Sequence, residues 1–186
     1  MNSNKEIVEK EKRWTLNSTF DISKEIVSNV VNEVEDITNN ILNLNVDSEE
    51  LLTLSKELIF YCILLVEDTS KLISPCHRAA IIGEFKRAFC LNLFEMFFNS
   101  SKENAKEFEY FFTVFETEYY QFKKELDFYF KNNISTKKLI AILVSEFLNL
   151  KTFSGTSFTQ KEQIKKQLID LFNKKNLPQL SFVLFS

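Results

Sequence analysis

Apolar residues recur along most of the chain at the spacing of an amphipathic α-helix. From Asp21 to Asn45 they fall at alternating intervals of three and four residues, which places them on one helical face. Similar patterns predict five further helices, over 48–72, 74–99, 102–132, 135–150 and 159–176. We therefore predict an all-α, single-domain bundle of about six helices. Residues 19–186 form the predicted bundle, and residues 1–18 are predicted to be flexible or loosely packed.

Residues that favour helix capping mark several of the predicted starts. Asp47 and Ser135 are predicted to cap the second and fifth helices with their side-chain oxygens. Ser74 followed by Pro75 is typical of a helix start, because proline suits the first helical position. The segment Thr159–Glu162 has the pattern of a capping box and is predicted to open the sixth helix.

The third and fourth helices are predicted to be central and rich in phenylalanine. The chain contains 20 Phe residues, and the fourth helix repeats aromatic residues or Leu in alternating steps of four and three. Side chains with this spacing usually fill a core. They can also line a pocket for an apolar ligand or form a surface for a partner. The candidate residues for such a surface are Phe85, Phe89, Phe108, Phe112, Phe115, Tyr119 and Phe122.

Composition excludes several other folds and sites. Two Gly and two Pro are too few for the turns of a strand-rich sandwich or barrel. The isolated Gly83 and Gly155 form no glycine-rich phosphate or dinucleotide loop. The longest apolar run, Leu58–Val66, has nine residues and is shorter than the roughly 20 that a membrane-spanning helix needs. It predicts a buried helix and no membrane span.

The first 13 residues mix both charges and contain no apolar segment, so no secretory signal is predicted. Three Cys residues in a chain without such a signal favour free thiols in a reducing compartment. The expected location is therefore cytoplasmic.

Charge is distributed unevenly along the chain, whose net charge is −3. Asp21–Ser70 holds eleven acidic and two basic residues, whereas Asn133–Ser186 holds eight basic and three acidic ones. Such asymmetry can mark a binding surface. The simpler interpretation is that the two segments pack side by side and complement each other.

The basic residues of the C-terminal segment do not favour a nucleic-acid partner. The sequence pI is about 5.4, and the chain has only three Arg residues. Nucleic-acid-binding domains usually concentrate Lys and Arg on one face. The five lysines of the sixth predicted helix are spread around its axis instead. The basic residues of the segment are Lys137, Lys138, Lys151, Lys161, Lys165, Lys166, Lys174 and Lys175.

Cys76 is the one candidate for a reactive side chain. It falls in the first predicted turn of the third helix, where backbone N–H groups and the helix dipole stabilise a thiolate. A packing role for this cysteine is the simpler interpretation. The single His, His77, cannot supply the paired ligands of a helical metal site. No catalytic motif is present, and no metal or cofactor is expected.

These observations favour a non-enzymatic interaction or regulatory protein that acts through protein contacts and self-associates. The alternative is a domain that senses or binds an apolar small molecule between its helices. The short apolar tail from Leu180 to Phe185 is expected to dock on its own bundle.

Overall fold

The computed structural model describes the backbone of residues 3–72, 75–98, 105–130, 134–176 and 178–180. It describes the side chains of residues 19–71, 75, 77–98, 105–126, 134–176 and 178–180. This part of the chain forms six α-helices and no strand, which confirms the predicted all-α bundle. The helices are α1 (Ser3–Asp36), α2 (Ser48–Thr69), α3 (Pro75–Phe98), α4 (Ala105–Phe130), α5 (Thr136–Leu148) and α6 (Phe158–Asp170).

Two of the predicted N-caps are confirmed. The backbone N–H of Glu50 donates to Asp47 Oδ1 at 2.8 Å, and that of Lys138 donates to Ser135 Oγ at 3.4 Å. Each bond satisfies one of the N–H groups that a helix start leaves without an intrahelical acceptor. Ser74, the predicted cap of α3, lies outside the described residues.

Two predicted helix starts are wrong. The first helix begins at Ser3 rather than near Asp21, since no Gly or Pro interrupts the chain before that point. The capping box of α6 is formed by Ser157 and Gln160 rather than by Thr159–Glu162. Two overlapping Ser/Thr-x-x-Glu/Gln patterns occupy this segment, and the extended backbone of Ser157 selects the earlier one. Residues 1–18 are predicted to be flexible or loosely packed. The side chains on which this prediction depends lie outside the described residues.

Helix α2 is the most enclosed element of the bundle. All nine residues of Leu58–Val66 are buried, as the apolar run predicts. Helices α1, α3, α4 and α5 all pack against α2. A helix that is apolar around its whole circumference is stable in water only when neighbours cover every side.

The acidic and basic segments pack side by side. Helix α6 and the π-helical turn that follows it, Leu171–Asn176, pack against the end of α1 and run antiparallel to it, since later residues of the turn meet earlier residues of α1. Gln167 Nε2 donates to Asp36 Oδ2 at 3.0 Å, and Lys175 Nζ lies 3.4 Å from Glu33 Oε2. Only the contact of Lys175 with Glu33 is an ion pair, because Gln167 is neutral. The charge complementarity of the two segments is therefore partial.

Helix α4 packs through one face onto α2 and α3. The Phe60 ring of α2 lies 5.1 Å from the Phe115 ring and 5.6 Å from the Tyr119 ring, both in edge-to-face geometry. Aromatic pairs at these distances contribute about 0.5–1.5 kcal/mol beyond the burial of their area. The hydroxyl of Tyr119 donates to Glu67 Oε1 at 2.7 Å, which satisfies the polar end of this fully buried ring.

We expect Phe115→Ala to lower the free energy of unfolding by about 3–5 kcal/mol, because it removes a buried ring and leaves a cavity. Tyr110→Ala on the same helix is the matched control, since its side chain is 74% exposed. That change should cost less than about 0.5 kcal/mol. Urea denaturation of both variants measures the difference, and equal losses would contradict this placement of α4.

Candidate functional site

Most of the aromatic residues singled out by their spacing lie inside the core. Phe85, Phe89, Phe115 and Tyr119 are fully buried, and Phe108 is nearly so. Only two members of the set retain partial exposure: Phe112 and Phe122. The structure therefore buries Phe85 and Phe89 on α3 and packs the α4 members of the set against α2 and α3.

The opposite side of α4 carries an unexpected pattern. Every exposed residue from Tyr110 to Gln121 is uncharged, although a quarter of the chain is charged. Exposure of Tyr110 is 74% and that of Tyr120 is 56%. We call these residues the outer face of α4: Tyr110, Thr113, Val114, Thr117, Tyr120 and Gln121.

The two threonine hydroxyls of this face bond within their own helix. Thr113 Oγ1 donates to the carbonyl oxygen of Glu109, and Thr117 Oγ1 donates to that of Thr113, both at 2.8 Å. A threonine bonded in this way needs no solvent acceptor for its O–H. The outer face of α4 is consequently less polar than its composition suggests.

The carboxylates in this interval are held at the sides of the face. Glu118 Oε2 lies 2.6 Å from Lys56 Nζ, and Glu116 Oε1 lies 3.4 Å from Lys86 Nζ. Lys86 is itself buried and also donates to the Tyr120 hydroxyl at 3.0 Å. These ion pairs join α4 to α2 and α3, and the Glu118 and Glu116 side chains remain 42% and 36% exposed at the sides of the outer face.

An apolar groove adjoins one end of the outer face, between the end of α3 and the start of α4. Its volume is about 450 Å³. The Phe98 ring, 50% exposed, lies 5.1 Å from the Phe94 ring and 5.5 Å from the Phe111 ring. The lining residues are Phe94, Phe98, Lys106, Glu107, Tyr110 and Phe111.

Sequence reasoning missed both surfaces for the same reason. Periodicity identifies the strongest apolar stripe of α4, and the residues of that stripe are the ones buried in the core. The outer face has its own signal, because Tyr110, Val114, Thr117 and Gln121 are uncharged at steps of four, three and four.

The three cysteines differ in their position. Cys76 lies in the first turn of α3, as predicted, but its side chain is outside the described set. Cys62 and Cys90 are buried free thiols. Burial raises the pKa of Cys62 to about 12 and also raises that of Cys90, so neither forms a reactive thiolate at neutral pH.

Glu57 is a partly buried carboxyl beside the contact between α2 and α4. Burial raises its pKa from 4.5 to about 7, the hydrogen bond from Tyr61 opposes this shift, and the negative charge of Glu125 adds to it. The Tyr61 hydroxyl lies 3.3 Å from Glu57 Oε1. Among the described residues Glu57 has no ion-pair partner, in contrast to Glu67, which pairs with Lys123.

The raised pKa predicts a stability that falls as pH rises. The folded state binds a proton at Glu57 between about pH 4.5 and pH 7, where the unfolded chain has released it, so the unfolding free energy decreases across this window. Glu57→Gln removes this dependence and should be more stable than the wild type by up to about 3 kcal/mol at about pH 8. Little difference is expected at about pH 4.

Urea denaturation across this pH range measures the effect. Glu35→Gln, an exposed position on α1, is the matched control and should follow the wild type at every pH. A constant difference between Glu57→Gln and the wild type from acid to alkaline pH would show that Glu57 carries no shifted proton.

The described residues contain no group of three or more His, Cys, Asp and Glu side chains arranged to hold a metal ion. Among the described helices, none combines the length and the apolar character that crossing a membrane requires. No protein-family model, curated protein or solved structure matches this chain.

Proposed function

We propose that this protein is a non-enzymatic interaction protein that self-associates through the outer face of α4, acting in the cytoplasm. The observation that carries the proposal is the run of six uncharged exposed residues, from Tyr110 to Gln121, on a helix anchored by its other side. Exposed positions on a solvated helix usually carry charged or polar side chains, and none of these six carries a charge. Tyrosine is enriched in the surfaces through which proteins contact one another, and this face exposes two of them, Tyr110 and Tyr120.

The energetics of such a contact favour a reversible complex. Burial of one large side chain contributes about 1.5–3 kcal/mol, and Tyr110 presents most of its ring to solvent. The tyrosine hydroxyl remains able to bond at the rim, which is why tyrosine is common in interfaces. A stable interface usually buries about 800 Å² on each partner. A contact centred on one helix face is smaller, so association is expected to depend on concentration.

Sedimentation velocity over a range of about 10 µM to 1 mM tests the proposal. The wild type should shift toward a dimer as concentration increases, and Tyr110→Glu should remain monomeric because it places a charge in the contact. Phe158→Glu is the matched control, since Phe158 is 80% exposed but lies at the start of α6. The control should behave as the wild type does.

A wild type that stays monomeric at about 1 mM would refute self-association. Equal loss of the dimer in Tyr110→Glu and Phe158→Glu would refute the outer face of α4 as its location. Circular dichroism of each variant verifies that the helices remain folded.

The groove between α3 and α4 supports a second candidate function, the binding of an apolar small molecule. Its volume of about 450 Å³ lies within the roughly 300–1,000 Å³ of typical ligand pockets, and four of its six lining residues are aromatic. Rings such as Phe98 and Phe111 favour flat aromatic ligands through edge-to-face contact.

Thermal unfolding with naphthalene or indole as the probe tests this second function. Binding to the folded state should raise the wild-type midpoint by an amount that grows with ligand concentration. Phe98→Ser should abolish the rise, whereas Phe158→Ser should retain it. A midpoint that does not respond to either probe would contradict an aromatic ligand in the groove.

A further inference from the structure

Lys86 on α3 is a buried lysine that contacts a residue of the outer face of α4. Its exposure is 6%, and its Nζ lies 3.0 Å from the Tyr120 hydroxyl oxygen and 4.5 Å from the centre of the Tyr120 ring. The centre of the Tyr119 ring is 5.4 Å away, and Glu116 Oε1 is 3.4 Å away. A cation near an aromatic ring is attracted by its face, and the hydrogen bond to the hydroxyl adds a preferred direction. Lys86 therefore holds Tyr120 from the side of the bundle, while 56% of this tyrosine remains exposed.

The contact with Lys86 fixes the role of the Tyr120 hydroxyl. A lysine ammonium group carries hydrogen-bond donors and no acceptor, so the Tyr120 oxygen must accept in this bond. The hydroxyl hydrogen is consequently available for a different acceptor, and among the described residues none accepts it. Tyr120 can therefore donate one hydrogen bond to a group outside its own chain.

The two threonine hydroxyls of the outer face are fixed in the opposite role. Thr113 and Thr117 donate their hydrogens to backbone carbonyl oxygens of α4, each at 2.8 Å. A hydroxyl whose hydrogen is used in this way can still accept through its oxygen. The outer face thus combines a donor at Tyr120 with acceptors at the two threonines. Two copies of this face are complementary in a symmetric dimer, because the donor of each copy can meet an acceptor of the other.

We infer that Lys86 is a positioning residue for self-association, which holds Tyr120 so that its hydroxyl donates to a threonine oxygen of the second copy. The inference rests on the proposed self-association through the outer face of α4. It adds the hydrogen bonds that favour a second copy of this chain as the partner. Lys86 acts through Tyr120, and a ring that is held in place before association reduces the side-chain ordering that binding costs.

Tyr120→Phe tests the donated hydrogen bond, because it removes one oxygen atom and keeps the ring. The dimer dissociation constant, measured by sedimentation velocity, should rise about two- to tenfold. Thr113→Val combined with Thr117→Val removes the acceptors and should raise the constant by a similar factor. In a Tyr120→Phe background the threonine changes should have little further effect, since the bond is already absent. An unchanged constant in Tyr120→Phe would overturn the inference, and so would full multiplication of the two effects.

Lys86→Met tests the positioning role, because it keeps most of the side-chain length and removes the ammonium group. It should raise the dissociation constant about two- to tenfold in the wild-type background and change it little in a Tyr120→Phe background. In a Val114→Ala background, which alters another part of the outer face, its effect should be retained in full. A general loosening of α4 would weaken the dimer equally in both of these backgrounds. Equal factors in the two would therefore overturn the positioning role.

Arg87→Met is the matched control on the same helix. Arg87 Nη2 lies 2.5 Å from Glu109 Oε1, and this ion pair also joins α3 to α4. Neither residue belongs to the outer face, so Arg87→Met should leave the dissociation constant unchanged, and a rise equal to that of Lys86→Met would contradict the inference. Circular dichroism verifies that each variant is folded. Should Lys86→Met not fold, the Tyr120→Phe and threonine variants decide.

The proposed function and the role of Lys86 fail in distinguishable ways. A wild type that is monomeric at every concentration removes both of them. A wild type that dimerises and loses its dimer in Tyr110→Glu, but keeps its dissociation constant in Tyr120→Phe and Lys86→Met, retains the proposed function and removes this inference alone.

Discussion

The bundle depends on the complete enclosure of α2. Its nine consecutive apolar residues cannot face water on any side, so four other helices must surround it. This requirement assigns one face of each neighbour to the core. Helix α4 meets it with the rings around Phe115 and Tyr119, which contact Phe60. The opposite side of α4 contributes little to this core, apart from Tyr120, whose hydroxyl accepts a hydrogen bond from the buried Lys86.

The polar groups next to α2 show what this enclosure costs. Glu67 is compensated by Lys123 and by the Tyr119 hydroxyl, and Glu118 is compensated by Lys56. Glu57 has only the Tyr61 hydroxyl among the described residues, and it responds with a raised pKa rather than with a buried charge. The ion pairs that anchor α4 also hold Glu116 and Glu118 at the sides of its outer face, where both side chains stay partly exposed.

The fold class follows from the sequence because helical periodicity and the scarcity of Gly and Pro both favour it. Local capping is also readable where a single pattern is present, as at Asp47 and Ser135. The prediction of the cap is wrong at Ser157, because two capping patterns overlap there and only the backbone conformation distinguishes them. The predicted start of α1 is wrong for a related reason. No helix-breaking residue marks the true start, and apolar spacing alone gives no boundary. Prediction of the candidate surface is limited in a different way. An aromatic stripe such as that of Phe85 and Phe89 is equally typical of a core and of an interface, and here both rings are buried. The outer face of α4 is identified by the absence of charge, which becomes informative only when exposure is known.

Once Tyr110 and Gln121 are seen to be exposed, the uncharged stretch of α4 acquires a geometric meaning. None of its residues is unusual by itself, because threonine and glutamine are mostly exposed in folded proteins. What distinguishes them is their shared exposure on a helix that is held by its other side. The proposed interaction surface is therefore supported by two properties together: an anchored opposite side and exposed residues without charge.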